Sequence, residues 1–261
     1  MPSNKNLSKQ FVKNGFVLVN NLIKKDELKK ISKRLEFLKR KQKIGRGLSE
    51  PGVKKSLVHS LHKDLILQNI IENKPWFNKI NCELLNCKNV YTWNAKSNLK
   101  SRWAGSVEYY HQDYIYWKGY GFDSSKVLNC MVFVDNHSHH NAGLWLFPGS
   151  HKKIYKHEKF LNINSLQKYF IPVKILDKLN KHSSAISIKA KAGSCLFFHS
   201  KLVHGSSHNI SPENRRILLY DISSSEDYHS AKKDKIKSFD RSARMHFEFK
   251  ELSKRIALLK K

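Results

Sequence analysis

Apolar residues in the first third of the chain recur at helical spacing. The residues that follow this spacing are Leu28, Ile31, Leu35 and Leu38. Asp26 and Glu27 precede them and suit the first turn of a helix, because negative charge is favourable at a helix N-terminus. A short strand within 15–23, a flexible loop over 41–53 and a second helix over about 56–71 are also predicted. Together these elements predict a helical cover at about 20–80.

Beyond residue 88 the pattern changes to short runs of β-branched and aromatic residues. The clearest runs cover residues 127–135, 144–147, 186–198 and 217–220. Pro148 and Gly149 mark one of the turns between them. Helices do not alternate with strands after residue 80, which disfavours a parallel α/β fold. The pattern therefore predicts a mainly β (α+β) fold with antiparallel sheets and helices packed outside.

The chain has no linker rich in proline, glycine or serine. Its 261 residues therefore predict one domain over 1–261, with the helical cover at about 20–80, a β core at about 88–222 and a basic C-terminal tail at 223–261. The basic segment 152–185 is predicted to be a surface excursion or lid. No apolar signal core or run of membrane length occurs, so we expect a soluble, cytoplasmic protein. The four cysteines lack CxxC spacing, which favours reduced, structural thiols.

A formal net charge of +28 raises the question of an anionic partner. Arginine occurs at only nine of the 49 basic positions, and the lysines are scattered along the chain. Proteins that bind nucleic acid favour arginine clustered on one face. The charge pattern therefore disfavours nucleic acid as a partner, while it remains compatible with an anionic substrate.

A stretch rich in aromatic residues, 108–117, contains a histidine and an aspartate two positions apart. This composition favours a strand, and residues i and i+2 of a strand share a face, so His111 and Asp113 are predicted to aim at one point. With a second histidine they would form the facial triad that holds Fe(II) and leaves positions open. The best candidate is His204, near the end of a strand-like run. Arg215 opens the next apolar run, where a guanidinium needs a carboxylate partner.

Two other groups of histidines are weaker metal candidates. His62 and Asp64 also form a His-x-Asp pair, but they lie in a predicted helix, where positions i and i+2 point about 200° apart. The cluster at 137–140 invites a second metal site, although histidines in exposed loops are commoner.

Four blocks of sequence follow one another between about residues 90 and 221. The blocks are Asn94-Ala-Lys96; Tyr109-Tyr-His111-Gln-Asp113 with Trp117; Asn141-Ala-Gly-Leu-Trp-Leu-Phe-Pro-Gly-Ser-His151; and His204-Gly-Ser206 with Arg215 eleven positions after the histidine. Together they resemble the phytanoyl-CoA dioxygenase family of Fe(II)/2-oxoglutarate oxygenases, and the motif residues are most similar to those of its ectoine hydroxylase-like members. The resemblance implies a double-stranded β-helix core, the jelly roll of cupin-like proteins.

The resemblance also implies the roles of individual residues. The implied iron ligands are His111, Asp113 and His204. The implied 2-oxoglutarate-binding residues are Arg215, Ser206 and Asn94. Arg216 is the alternative to Arg215 as the 2-oxoglutarate-binding arginine. Adjacent strand residues face opposite ways, so we expect Arg215 to point inward and Arg216 outward.

The activity implied is hydroxylation of an unactivated C–H bond of a small metabolite, which consumes O2 and 2-oxoglutarate and releases succinate and CO2. A carboxylate at Asp113 argues against halogenation, because chloride would need that metal position. Trp117, Tyr114 and Tyr116 are predicted to face the substrate, with plain core packing as the alternative for each. Residues 97–103 make a segment longer than the family's, and we expect a loop there that helps frame the pocket.

Two further functional readings stay open at this stage. One is an oxygenase of the same fold that acts on nucleic acid or protein through its basic surface. The other is a non-catalytic jelly-roll binding module. Substrate identity and oligomeric state do not follow from the sequence.

Overall fold

The computed structural model describes residues 4–41, 57–161 and 167–229. Most of the predicted loop at 41–53 and most of the predicted tail at 223–261 lie outside the described residues. Within the described ranges, no helix combines the length and the apolar character that a bilayer crossing requires.

Helices dominate the first part of the described chain, and strands dominate the remainder. The α-helices are α1 (Asn4–Asn14), α2 (Lys25–Lys41), α3 (Leu65–Leu67), α4 (Pro75–Leu85), α5 (Tyr114–Trp117) and α6 (Val173–His182). The strands are β1 (Phe16–Val19), β2 (Leu57–His59), β3 (Val90–Lys100), β4 (Glu108–His111), β5 (Val127–Phe133), β6 (Leu144–Leu146), β7 (Glu158–Leu161), β8 (Gln167–Phe170), β9 (Ile186–Ser187), β10 (Cys195–His199), β11 (His204–Ser206) and β12 (Arg215–Ser224).

Most strands belong to two antiparallel sheets. The larger sheet has the order β1-β10-β5-β12-β3-β2, the smaller has the order β4-β11-β6-β9, and β7 and β8 pair as a separate hairpin. Apolar side chains of the two sheets meet in one core, which includes Phe133 and Leu219 of the larger sheet and Leu144 and Leu146 of the smaller sheet. The predicted antiparallel jelly roll is confirmed.

The N-terminal helices cover the outer face of the larger sheet. Trp76 of α4 packs edge-to-face on Phe197, with ring centroids 6.5 Å apart, and Phe77 packs in the same way on Tyr220 at 5.8 Å. The buried face of α2 belongs to the same apolar cluster. This outer core explains why the apolar periodicity of the first third is helical.

Two details of the predicted helical cover are wrong. Leu57–His59 forms β2 instead of the start of a helix, and Ser60 after it has a positive φ of 59°. That backbone angle interrupts a helix, so only short helical turns follow before α4. The pattern also misses α1, because Leu7 and Phe11 are buried within an otherwise polar segment.

The turn at Gly193 joins three parts of the fold. Its carbonyl oxygen accepts hydrogen bonds from the N–H groups of Leu22 and Ile23, at 2.9 and 3.0 Å, and its own N–H donates to Phe133 at 2.8 Å. Its φ is +88°, and a Cβ atom there would overlap the carbonyl oxygen of Ile23. Both the backbone angle and the close approach therefore require glycine.

Replacing this glycine tests how strongly the turn ties the helical cover to the sheet. Gly193→Ala is expected to lower the free energy of unfolding by at least about 2 kcal/mol, because backbone strain and overlap with Ile23 add together. Gly149→Ala is the matched control: its φ is +77°, but the nearest atom to an added Cβ is 3.6 Å away. Denaturant unfolding of both variants measures the difference, and equal losses would contradict a role for the Ile23 contact.

Candidate active site

Three metal-ligating side chains meet between β4 and β11. His111 ends β4, His204 begins β11, and the two residues are direct cross-strand partners. One ligand atom from each of His111, Asp113 and His204 lies within 4.8 Å of the other two. Within the described residues this is the only His/Cys/Asp/Glu group with that spacing. The side chains are 12%, 11% and 10% exposed, respectively, so the cluster is largely shielded from water.

The convergence of His111 and Asp113 has a different cause from the predicted one. β4 ends at His111, and Asp113 has helical backbone angles, φ −59° and ψ −33°, immediately before α5. The predicted strand over 108–117 is therefore wrong beyond His111. The two side chains meet because the chain turns between them, and alternation along a strand plays no part.

Gln112 fixes that turn. Its fully buried side chain donates to the carbonyl oxygens of Lys153 and Lys201, at 2.8 and 2.5 Å, and accepts from the N–H of Tyr155 at 2.9 Å. These bonds satisfy every polar atom of the amide except one lone pair, so the segment is held from two directions. Sequence reasoning missed this role, and the only signal was the position of Gln112 between two candidate ligands.

Backbone carbonyls set the tautomers of both histidines. Nδ1 of His111 lies 2.7 Å from the carbonyl oxygen of Tyr109, and Nδ1 of His204 lies 2.9 Å from that of Leu202. A carbonyl only accepts, so each Nδ1 carries the proton and each Nε2 is left with a lone pair. The two Nε2 atoms face the Asp113 carboxylate at 3.4 and 3.6 Å. Three acceptors facing one another require a cation among them, either a proton or a metal ion.

The charges of this cluster are strongly coupled. Burial alone would raise the pKa of Asp113, but His204 and His111 hold it well below its usual range. Burial lowers the pKa of His204, whereas the Asp113 carboxylate raises that of His111 despite its burial. Asn129 on β5 donates to Oδ2 of Asp113 at 2.8 Å and fixes the carboxylate. Asn129 is the one amide side chain in the apolar run 127–133, and this was the only signal in the sequence for its role.

Arg215 points into the space between the sheets, and Arg216 points away from it. Arg215 is 3% exposed and donates from one terminal nitrogen to the carbonyl oxygen of Ala142 at 3.2 Å. Its Nε and other terminal nitrogen are buried without a partner, and burial lowers its pKa to about 10. Arg216 instead forms a two-pronged ion pair with Asp135 at 2.7 and 2.9 Å. The expected inward and outward orientations of the two arginines are both observed.

A lysine that the sequence did not single out lies next to Arg215. Lys100 is the cross-strand partner of Arg215, and its ammonium donates to Oγ of Ser206 at 2.8 Å and to the carbonyl oxygen of Ser207 at 2.7 Å. Lys100 is only 5% exposed and Ser206 9%. Arg215, Ser206 and Lys100 therefore form one buried cationic pocket, which we call the anion pocket.

Asn94 lies away from the anion pocket. It pairs with Asp221, six positions along β12 from Arg215, which corresponds to roughly 20 Å. Asn98 and Lys100 share its face of β3 and lie nearer to Arg215, whereas Asn94 lies toward the triad through its bond to Asp221. Its contact with the co-substrate stays a prediction. The triplet Asn94-Ala-Lys96 has a near copy in Asn98-Leu-Lys100. β3 runs through both copies, so the predicted loop at 97–103 is strand as far as Lys100.

Asp221 is a buried acid near the triad. It accepts a hydrogen bond from the Asn94 amide at 2.6 Å, while its other carboxylate oxygen is buried without a partner. Its cross-strand neighbour on the other side is Asn129, which holds Asp113. Burial raises the pKa of Asp221 to about 7, although the charge of Lys96 acts in the opposite direction.

A β-bulge brings Glu108 to the same side of β4 as His111. His204 pairs with His111 and Ser206 pairs with Glu108, so three steps on β4 match two steps on β11. Without the bulge, a separation of three residues would place the two side chains on opposite faces. The charge of Glu108 acts on His111, His204 and Arg215, so its carboxylate lies within electrostatic range of both the triad and the anion pocket.

The aromatic residues predicted to face a substrate have different surroundings. Trp117 is 6% exposed and packs edge-to-face on Trp93 at 5.3 Å within an apolar cluster. Tyr114 packs beside that cluster and donates to the carbonyl oxygen of Phe122. Tyr116 alone of the three touches the triad, because its ring lies edge-on to His111 with centroids 5.9 Å apart. The geometry thus favours Tyr116 over the other two as a wall of the site.

The remaining histidine groups have structural surroundings. Asp64 forms an ion pair with Arg34 at 2.7 Å and caps the N-terminus of α3. It does not form a metal site with His62. His137 accepts from the N–H of Leu144, and burial together with Arg215 lowers its pKa to about 3, so it is neutral beside the anion pocket. No second metal cluster is found among the residues that the structure describes.

The raised pKa of Asp221 predicts a pH-dependent effect on stability. Between about pH 4 and 7 the folded protein holds a proton that the unfolded chain has released, so this residue makes stability fall as pH rises. Asp221→Asn should therefore raise the Tm of metal-free protein at pH 8, by ~3 °C or more, and have less effect at pH 5. Thermal unfolding at both pH values checks this, with exposed Asp177→Asn as control. An equal shift at both pH values would contradict the raised pKa.

Comparisons with known proteins agree with this fold and indicate a family. A family model described as phytanoyl-CoA dioxygenase (PhyH) matches residues 11–217. The chain is 27% identical to the ectoine dioxygenase of Bordetella parapertussis over 216 residues, which cover 77% of this chain and 69% of that protein. It is 23% identical to the L-proline trans-4-hydroxylase of Streptomyces griseoviridis, over 80% of this chain and 82% of that one.

Solved structures show the same fold. EctD from S. alaskensis, with 2-oxoglutarate and 5-hydroxyectoine, aligns with a TM-score of 0.72 at 19% identity, over 85% of this chain and 76% of that chain. The family match runs from α1 to the start of β12 and includes all three triad residues. The chain therefore belongs to the phytanoyl-CoA dioxygenase family.

Proposed function

We propose that this protein is an Fe(II)- and 2-oxoglutarate-dependent dioxygenase that hydroxylates an unactivated C–H bond of a small metabolite. The products from the co-substrate are succinate and CO2. The observation that carries the proposal is a buried His-Asp-His cluster in the same domain as a buried arginine with two unpartnered nitrogens. Membership of the family supports it, because the relatives include an ectoine dioxygenase and a proline hydroxylase.

The triad fits an iron ion on chemical grounds. Two neutral imidazoles and one carboxylate are the donor set typical of non-haem Fe(II) oxygenases. His111, Asp113 and His204 present Nε2 and carboxylate atoms to one point, and their outer atoms are held by Tyr109, Leu202 and Asn129. Those outer hydrogen bonds keep each ligand atom oriented before a metal arrives. The proposed metal ligands are therefore the residues that the sequence motif indicated.

The anion pocket fits the distal carboxylate of 2-oxoglutarate. An arginine with buried, unpartnered nitrogens is costly unless a carboxylate completes its hydrogen bonds. Lys100 adds a second positive charge and orients Ser206. We include Arg215, Ser206 and Lys100 in the co-substrate site, and Asn94, which lies nearer the triad, stays a predicted further contact.

When bound, iron and 2-oxoglutarate supply the oxidising chemistry, and the protein positions and shields them. Gln112 holds the turn that aims His111 and Asp113 at the metal position. Arg215 orients the co-substrate by holding its distal end, and the nearly closed surroundings of the triad keep water out. Because the Nδ1–H groups of both histidines are held by backbone carbonyls, each Nε2 already faces the metal position, so metal binding displaces the shared proton without rearranging these rings.

A small metabolite is the substrate class that the relatives support best. Ectoine and L-proline, which appear in the names of two relatives, are both small molecules, and this chain aligns with most of each protein. Tyr116 beside His111 gives an aromatic wall for such a molecule. A macromolecular substrate has only the overall positive charge in its favour. The single domain over 1–261 and the cytoplasmic location stay predictions.

Adjacent arginines provide a matched test of the co-substrate site. Arg215→Met should raise the KM for 2-oxoglutarate by about 30-fold or more, because a buried charge partner of the carboxylate is lost. Arg216→Met should leave this KM within about twofold of wild type, since Arg216 pairs with Asp135 outside the site. Succinate release, measured with Fe(II) and a panel of small metabolites that includes ectoine and L-proline, provides the KM values.

Two results of that assay would contradict the proposal. One is a KM for 2-oxoglutarate that responds equally to both arginine variants, which would remove Arg215 from the co-substrate site. The other is the absence of any Fe(II)-dependent succinate release from folded protein, with or without a candidate substrate.

A further inference from the structure

An acid lies at the wall of the anion pocket, where it would oppose an anionic ligand. The bulge in β4 turns Glu108 toward the same space as His111, opposite Ser206 of the pocket. Its charge acts on Arg215 and, in turn, the charge of Lys100 acts on it. A dianionic co-substrate that spans the triad and Arg215 would therefore lie alongside this carboxylate.

Lys168 compensates this acid from a different part of the chain. It lies on β8 of the β7–β8 hairpin, and its ammonium is 3.1 Å from both carboxylate oxygens of Glu108. The two side chains are 24% and 31% exposed, so the ion pair is partly shielded from water. Burial would raise the pKa of Glu108, but the charges of Lys168 and His111 bring it below its ordinary value.

We propose that Lys168 is a positioning residue for 2-oxoglutarate, because it neutralises Glu108 and so prevents that acid from repelling the co-substrate. The proposal rests on the proposed function and adds a dependence of co-substrate affinity on the hairpin. The segment predicted as a surface excursion or lid thus contributes one charge to the site.

The hairpin has other contacts that hold it in place without this ion pair. The N–H of Ile171, just after β8, donates to the carbonyl oxygen of Tyr110 at 2.8 Å. The N–H of Tyr169 donates to the Tyr116 hydroxyl at 3.0 Å. The ring of Tyr109 packs edge-to-face on Phe160 at 5.4 Å. Removing the Lys168 charge should therefore leave the hairpin docked while exposing the charge of Glu108.

A double-mutant cycle separates neutralisation from simple anchoring. The measurement is the dissociation constant of 2-oxoglutarate for full-length, Fe(II)-loaded protein without O2. Lys168→Met should weaken binding about fivefold, since an uncompensated like charge at a partly exposed site costs about 1 kcal/mol. Glu108→Gln should leave binding unchanged or tighten it. The double variant should bind within about twofold of Glu108→Gln, and the loss in Lys168→Met should shrink at high salt.

Controls exclude a general effect of lysine removal or of damage to the metal site. Lys156→Met removes an exposed lysine that precedes the hairpin and should bind 2-oxoglutarate like wild type. Lys168→Arg should restore affinity, because it keeps the charge opposite Glu108. The affinity for Fe(II) alone, measured by competition with a chelator, should stay within about twofold of wild type in Lys168→Met.

The direction in which each variant changes 2-oxoglutarate affinity distinguishes neutralisation of Glu108 from anchoring of the hairpin. If Lys168→Met and Glu108→Gln weaken 2-oxoglutarate binding equally, the ion pair only anchors the hairpin and the inference is overturned. Wild-type affinity in Lys168→Met would overturn it as well. Failure of the wild-type protein itself to bind 2-oxoglutarate would instead refute the proposed function, so the two failures are distinguishable.

Discussion

The pairing of β4 with β11 is the constraint on which the site depends. It places His204 directly opposite His111, and its bulge turns Glu108 toward the same space. Gly205 makes the close approach possible, because a Cβ atom there would lie 2.9 Å from the carbonyl oxygen of Glu108. The position of two metal-ligating side chains and of one charged wall therefore follows from a single strand pair.

The third ligand depends on a different kind of support. Asp113 lies just beyond the strand, so hydrogen bonds to Gln112 and Asn129 replace sheet geometry in fixing its position. The result combines a rigid strand pair with a tightly bonded turn. Such outer hydrogen bonds are as much a part of a metal site as the ligands themselves, since they decide where the ligand atoms point.

The space between the sheets has two chemically different ends that a keto dicarboxylate would match. Lys100 and Arg215 pair at one end of β3 and β12, and Asn94 and Asp221 pair toward the other end. The triad adjoins the Asp221 end through Asn129. A molecule with one carboxylate for the cations and a chelating end for a metal would be oriented by these two ends. Buried charges of this kind are costly, which makes them better evidence of a binding site than of stability.

The sequence indicated the fold and the three triad residues, because spacing and residue type carry that information. It did not indicate why Asp113 converges with His111, since the turn at Gln112 depends on backbone groups from 153–155 and 201. It assigned Asn94 to the co-substrate only through the family resemblance, and it did not indicate Lys100, whose role depends on its register opposite Arg215. The position of Glu108 beside the site was not predicted either. A bulge in β4 reverses the alternation of side-chain faces that strand prediction assumes. The inward orientation of Arg215, by contrast, followed from alternation in a regular strand.

The most direct test of a shared iron and 2-oxoglutarate site is a visible absorption titration of purified protein without O2. We predict a weak metal-to-ligand charge-transfer band that appears only when Fe(II) and 2-oxoglutarate are both present and that His111→Ala abolishes. Folded wild-type protein that shows no band at saturating concentrations of both would contradict the assignment of the triad and the anion pocket to one site.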